Sequence, residues 1–152
     1  MNYSQITDYL YIGTTPLPED YHTLRDLGVR LVVNMRVERP PHPDPHDPPI
    51  SVLWLPCFDS PLVPISIHTL QRGVAAALKT IEDGGKVYSH CAAGVHRSVA
   101  LGTSILIALG YTIEEAFSLI KQQRRVADPH TWYIRRRIQR FADTWDLQNK
   151  AY

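Results

Sequence analysis

Residues 86–98 read K-V-Y-S-H-C-A-A-G-V-H-R-S, and this stretch limits the possible folds more than any other in the chain. Val87 and Tyr88 form a short apolar run leading into His90-Cys91. After five intervening residues come Arg97 and Ser98, and an apolar helical pattern then runs from Val99 to Leu109. The order is strand, tight loop, helix. Such a loop points several backbone N–H groups at one place, which makes an anion site at the helix N-terminus. Cys91 at the start of the loop sits in positive potential, so its thiolate is stabilised. Arg97 stands at the first helical turn, where its planar fork can take two oxygens of one phosphate. Gly94 permits a backbone turn that a Cβ would hinder. A nucleophile, a ring of donors and a bidentate cation therefore converge on one point.

The rest of the chain alternates strands with helices. Leu10-Tyr11-Ile12-Gly13 reads as a short strand and turn. Thr15-Pro16 opens a helix with Leu17, Tyr21, Leu24 and Leu27 on one face and Gly28 as its stop. Leu31-Val32-Val33 reads as a strand covered on both faces, followed by Asn34 and Arg36. From Glu38 to Ile50 the chain breaks into R-P-P-H-P-D-P-H-D-P-P. Proline at this density removes N–H donors, so residues 39–49 are expected to make an extended excursion that borders the cleft. Within it His42, Asp44, His46 and Asp47 match no closed metal-ligand spacing and read as solvated loop polarity. A strand over Ser51 to Leu55 leads into Pro56-Cys57-Phe58-Asp59-Ser60-Pro61. Ser66 caps a helix that runs to about Asp83, with Leu70, Val74, Ala77, Leu78 and Ile81 inward, and Gly84-Gly85 end it. Beyond Gly110, Thr112 and Glu115 form a capping box for a helix with Ala116, Leu119 and Ile120 inward and Lys121, Arg124 and Arg125 at its basic end. A last helix is expected from about Pro129 to Trp145. The pattern predicts an α/β fold: a single-domain sandwich whose central, mostly parallel sheet of about four or five strands is flanked by helices. With 152 residues, 44% of them hydrophobic, one full core is expected and no repeat or domain boundary is visible.

His90-Cys91, the five-residue spacing to Arg97, and Ser98 together resemble the signature of the cysteine-dependent protein phosphatases. From Tyr11-Ile12-Gly13 to Trp145 the chain looks most like the small dual-specificity branch of that superfamily, so a protein-tyrosine-phosphatase-like sandwich is expected. The resemblance implies that the Cys91 thiolate attacks phosphorus and forms a cysteinyl-phosphate. The amides of Ala92, Ala93, Gly94, Val95, His96 and Arg97 would hold the equatorial oxygens. Ser98 would donate to the thiolate and ease its departure, or act as a plain helix cap. His90 would orient the loop through ring hydrogen bonds and shape the cysteine's pKa. Asn34 either braces that loop from behind or closes a strand-end turn. The family keeps its general acid where this chain has Asp59, between a strand and a long helix, and Phe58 and Pro61 give it apolar neighbours. Asp44, Asp47 and Asp128 are the rival acids. His96 either adds positive charge at the rim or faces solvent. Cys57 is either a partner for oxidised Cys91, as in some relatives, or a small buried side chain. Arg124 and Arg125 are candidates for steering an acidic substrate, while Arg135-Arg136-Arg137 read as a solvated helix face.

The chain lacks the Asn-Arg-Tyr segment that deepens the pocket of strict phosphotyrosine enzymes, which implies a shallower cleft open to phosphotyrosine and to phosphoserine or phosphothreonine. Ala92, Ala93 and Val95 put no lysine in the loop, unlike phosphoinositide-directed relatives. Three classes follow: a phosphoprotein phosphatase, a phosphatase of small or lipid phosphates, and a phosphate-binding module or sulfurtransferase. Cys91, Arg97, Ser98 and Asp59 together favour the first over a binding module. No metal or cofactor is expected, and the partner is a phosphoprotein substrate. The formal charge of +1 gives no argument for nucleic acid, and no apolar run is long enough to span a membrane. Met1 to Gln5 lacks the regions of a signal peptide, and two cysteines make no secreted disulfide framework, so a cytoplasmic location is expected.

Overall fold

The β-rich runs pair into one five-stranded sheet, and the amphipathic segments cover it on both faces. The coordinates are a computed structural model, which describes residues 1–150. In chain order the elements are β1 (Tyr3–Thr7), β2 (Leu10–Gly13), α1 (Tyr21–Asp26), β3 (Val29–Arg36), β4 (Ser51–Cys57), α2 (Ile67–Glu82), β5 (Lys86–His90), α3 (Arg97–Ala108), α4 (Ile113–Gln123) and α5 (Trp132–Lys150). The sheet order is β1-β2-β5-β3-β4. Only β1 runs antiparallel, against β2, and the other pairings are parallel. The strand that precedes the cysteine is therefore central.

Position in the sheet explains the sequence pattern of β5. Val87, Tyr88, Ser89 and His90 are all buried, because helices lie over both faces. On one face Leu31, Val33, Val87 and Leu55 pack against α2, α3, α4 and α5. On the other, Tyr11, Val32 and Tyr88 meet Tyr21 and Leu24 of α1. Helix α3 is buried from Arg97 through Ile107, so it has no polar face and its sequence shows no amphipathic stripe. A Cβ at Gly102 would come within 2.5 Å of Ile12 Cδ1, so a larger residue there would push the Ile12 side chain aside where α3 lies against β2. The register aligns Gly13 and Asn34 with His90. The C-terminal ends of β2, β3 and β5 thus open on one edge, where ligands bind in open α/β sheets.

Several expected elements take their expected form. Ser66 accepts the Thr69 N–H at 3.0 Å, and Thr112 with Glu115 closes a reciprocal capping box. Other expectations are corrected. Strand β1 was not anticipated: its residues alternate weakly, and pairing with β2 creates it. The first helix does not open at Thr15-Pro16. Leu17 is exposed, Pro18–Asp20 makes a 3-10 turn, and α1 begins at Tyr21. The last helix begins at Trp132 rather than Pro129, because Asp128 and Thr131 hold the preceding turn by side-chain bonds.

The proline-rich excursion also differs from expectation. Asp44 is not solvated polarity but a buried hub. It accepts hydrogen bonds from the amides of Ile50 (2.8 Å) and His46 (2.9 Å), and from Arg25 Nη2 (2.7 Å). Tyr21 ties the same segment down by donating to the His42 carbonyl at 2.5 Å. With few N–H donors of its own, the segment is ordered by side chains rather than by a ladder. Burial pushes the Asp44 carboxyl up, but the Ile50 and His46 amides, the His46 ring and Arg25 outweigh it and hold it at about 2. A carboxyl so depressed stabilises the fold above its unfolded value and loses that contribution as pH falls toward 2. We expect Asp44→Ala to cost about 1–3 kcal/mol in urea denaturation at neutral pH, because buried amides lose their acceptor. The gap to the wild type should narrow between about pH 4 and 2.

Candidate active site

A thiol at the end of a buried strand is expected to resist ionisation, and the loop after β5 reverses this. Cys91 is 3% exposed. Its Sγ lies 3.2 Å from Ser98 Oγ. Burial pushes the thiol up, but the Ser98 hydroxyl and the amides of Ser98, Gly94 and Val95 pull harder, so its pKa falls below the ordinary thiol value.

Those amides face the sulfur because the carbonyls are held outward. Arg124 Nε donates to Gly94 O at 2.8 Å and its Nη2 to Ala93 O at 3.1 Å. The Asp128 amide donates to Val95 O at 2.9 Å. In a planar trans peptide the C=O of one residue and the N–H of the next point opposite ways. Fixing the carbonyls of Ala93, Gly94 and Val95 outward therefore turns the amides of Gly94, Val95 and His96 inward. Gly94 sits at φ 66, and a Cβ there would meet Arg124 Nη2 at 2.7 Å and Gly13 O at 2.8 Å. Arg124 is thus a buried brace, not the substrate-steering residue expected for it, while Arg125 is exposed.

Arg97 is anchored by its far end. Nη1 reaches Glu38 Oε2 (2.9 Å) and Cys57 O (2.9 Å), and Nη2 reaches Glu38 Oε1 (2.8 Å). Hydrogen bonds from Arg97 lower the Glu38 carboxyl to about 2 against its desolvation, with Arg36 adding to the effect. Nε is buried and has no partner among the described residues. The Nε–H and the adjoining N–H of Nη2 form the second planar edge of the guanidinium, and that edge suits two oxygens of a tetrahedral anion. Glu38 received no role from the sequence, because nothing in its neighbourhood marks a residue whose partner lies on a different element.

The other expected residues fall into place less uniformly. His90 is buried beside Tyr88, and burial pushes its imidazole down to about 4, so it is neutral near pH 7. Its Nδ1 has no partner among the described residues, while a hydrogen bond with the Cys91 backbone partly offsets the effect of burial. Asn34 does not brace the loop. It accepts the Arg36 amide at 2.7 Å and donates to Arg39 O at 3.1 Å, closing the turn after β3. Asp59 touches the loop itself, with Oδ2 at 3.0 Å from His96 Nδ1, and Tyr133 donates to its Oδ1 at 2.6 Å. Among the rival acids, Asp44 is spent in its own segment, whereas Asp128 lies near the same histidine. His96 neither faces solvent nor stands alone at the rim, since it contacts both carboxylates. Cys57 is a free thiol that donates to Met35 O at 3.2 Å, and burial above all raises it to about 12. It is a poor thiolate for attack on an oxidised neighbour. Of the Arg135-Arg136-Arg137 run, Arg135 and Arg136 are exposed, while Arg137 Nε donates to Ile65 O at 2.8 Å. Among the described residues no group of three or more metal-ligating side chains is clustered, and no helix is long and apolar enough to cross a membrane.

Comparison with known proteins gives a coherent set of relatives. Residues 10–140 match the family model "Dual specificity phosphatase, catalytic domain". Mouse dual specificity phosphatase 28 is 28% identical over 147 residues, covering 96% of this chain and 87% of that one. Human dual specificity protein phosphatase 14 is 29% identical over 137 residues, covering 89% and 67%. The crystal structure of human DUSP28 superposes with a TM-score of 0.83 at 25% identity, covering 95% of each chain. A mouse dual specificity phosphatase complexed with zinc tungstate superposes with a TM-score of 0.85 at 27% identity, covering 97% and 90%.

The Arg124 brace can be tested directly. Arg124→Lys keeps the charge but cannot fork both carbonyls, and each lost buried bond costs about 1–3 kcal/mol. We expect inorganic phosphate affinity, measured by calorimetry, to fall roughly tenfold or more. Arg124→Met should fall similarly, and full affinity in the lysine variant would show that charge, not carbonyl geometry, is what matters.

Proposed function

The chain belongs to the dual specificity phosphatase family of cysteine-dependent protein phosphatases, and on that premise we propose that Cys91 is the nucleophile with which it hydrolyses phosphotyrosine, phosphoserine and phosphothreonine in proteins. The observation that carries the residue assignment is the buried Cys91 sulfur, 3.2 Å from the Ser98 hydroxyl and at the start of a loop whose carbonyls are held outward by Arg124. Its sulfur attacks phosphorus, the S–P bond forms, and the P–O bond to the side-chain oxygen breaks. The loop amides, those of Gly94, Val95 and His96 being turned inward, and the open edge of Arg97 hold the three equatorial oxygens, where the charge resides in a loose transition state. Asp59 protonates the leaving oxygen, and its carboxylate then takes a proton from the water that cleaves the cysteinyl-phosphate. Ser98 donates to the sulfur as it departs, which its 3.2 Å approach supports.

The amides and Arg97 recognise the phosphoryl group alone, and a loop interior of Ala92, Ala93 and Val95 adds no cation for a second phosphate. That favours a phosphoprotein over an inositol or lipid phosphate. A reducing, cytoplasmic setting belongs to the same proposal, because the nucleophile must stay a thiolate.

Cys91→Ser should abolish turnover of p-nitrophenyl phosphate. In the wild type the ascending limb of kcat/KM should begin below the ordinary thiol pKa, because activity rises as the thiolate forms. Asp59→Asn should lower turnover by roughly 10²–10⁴-fold and flatten the limb that belongs to the acid. A panel of phosphopeptides against inositol phosphates should show preference for the peptides. An unchanged rate and profile in Asp59→Asn would remove Asp59 from its role.

A further inference from the structure

His96, the last residue of the loop before Arg97, has both ring nitrogens engaged. Nδ1 faces Asp59 Oδ2 at 3.0 Å. Nε2 lies 3.3 Å from Thr131 Oγ1 and 3.7 Å from Asp128 Oδ2. The tautomer follows from the neighbour. Thr131 gives its single hydroxyl proton to Asp128 Oδ2, so its oxygen can only accept from His96. Nε2 therefore carries a proton, and Nδ1 is the nitrogen left to exchange one with Asp59. Asp128 is held ionised: the Thr131 hydroxyl lowers its carboxyl first, and the amides of Thr131 and His130 add to that. On the other side Tyr133 donates to Asp59 Oδ1 at 2.6 Å. Burial, then Asp59, pushes the Tyr133 phenol up to about 12, so it stays a donor.

The groups facing His96 are thus Asp59 from the loop after β4, Asp128 from the turn after α4, Tyr133 from α5, and Arg97 beside it at the start of α3. Between Asp59 Oδ2 and His96 Nδ1 there is room for one proton. We propose that Asp59 and His96 act as one proton-sharing pair, with His96 a positioning residue that keeps the general acid loaded and Asp128, through Thr131, fixing the imidazole's tautomer. This rests on the phosphatase reading above.

The proton count closes over the cycle. In the first step the pair gives its one proton to the leaving oxygen as the P–O bond breaks and the S–P bond forms. Asp59 is left as a carboxylate and His96 as a neutral ring. In the second step water loses a proton to the pair, its oxygen bonds to phosphorus, and the S–P bond breaks to return the thiolate. Two groups in hydrogen-bond contact hold and lose a shared proton as a unit, and an imidazole is ordinarily a stronger base than a carboxylate. Removing the imidazole removes one of the proton's two holders. Such a device matters most for alkoxide leaving groups, which need protonation most, and phosphoserine and phosphothreonine are of that kind.

The experiment compares wild type, His96→Asn and Thr131→Val on p-nitrophenyl phosphate and phenyl phosphate across the pH range. Asparagine can keep a hydrogen bond to Asp59 but cannot hold the proton. For His96→Asn we expect about a tenfold loss on phenyl phosphate, whose leaving group is poor, and little change on p-nitrophenyl phosphate. The alkaline limb on phenyl phosphate should move down by about one pH unit. Thr131→Val should move the same limb the same way by less. Equal losses on both substrates with the limb unmoved, or no loss at all, would overturn the pairing. If His96→Asn fails to fold, an unmoved limb in Thr131→Val overturns it alone. Absence of any Cys91-dependent turnover in the wild type would instead sink the phosphatase reading.

Discussion

An ionisable sulfur at the end of a central, buried strand is the constraint from which the rest of this structure follows. Desolvation alone would keep Cys91 protonated. A shell of N–H and O–H donors lowers the thiol's pKa against that cost, and such donors also suit an anion. A chain cannot turn a run of amides inward without giving the corresponding carbonyls somewhere else to go. Arg124 and the Asp128 amide are where they go. The surroundings of the Cys91 sulfur are therefore set by residues from the far end of α4 and the turn beyond it as much as by the loop itself.

The cation is prepared in the same way. Arg97 is tied to Glu38 and to the Cys57 carbonyl through one edge of its guanidinium, which leaves the other edge oriented. Glu38 opens the proline-rich excursion, and that excursion is anchored at its centre by Asp44. A segment that looks like an unstructured insert thus begins at the residue that orients Arg97. Its prolines leave few backbone donors, so buried side chains do the ordering.

Much of this was legible without coordinates. The spacing of Cys91 and Arg97 across a strand-loop-helix marks the anion site, since both residues are local to one turn. Caps at Ser66 and at Thr112 with Glu115 are short-range and were readable for the same reason. Tertiary partnerships were not. Arg124 reads as a basic helix end, and Asp44 as loop polarity. Asn34 resembles a loop brace, and Pro16 a helix start. Each depends on which distant segment packs beside it, and a single sequence carries no mark of that pairing. His96 is the sharpest case. Its presence in the loop was visible, but its meaning needed Asp59, Thr131, Asp128 and Tyr133 brought together from three other places in the chain.

The sequence by itself determined the alternation of strands and helices and the meeting of Cys91 and Arg97 at one loop, because these follow from periodicity, capping and fixed short spacings, while the place proposed for the acid came from the family resemblance. The tertiary structure decided what holds each of those groups at its working charge and angle. Hydrogen-bond partners are chosen by proximity in space, and proximity between residues far apart in the chain is settled only when the sheet and its helices close around one another.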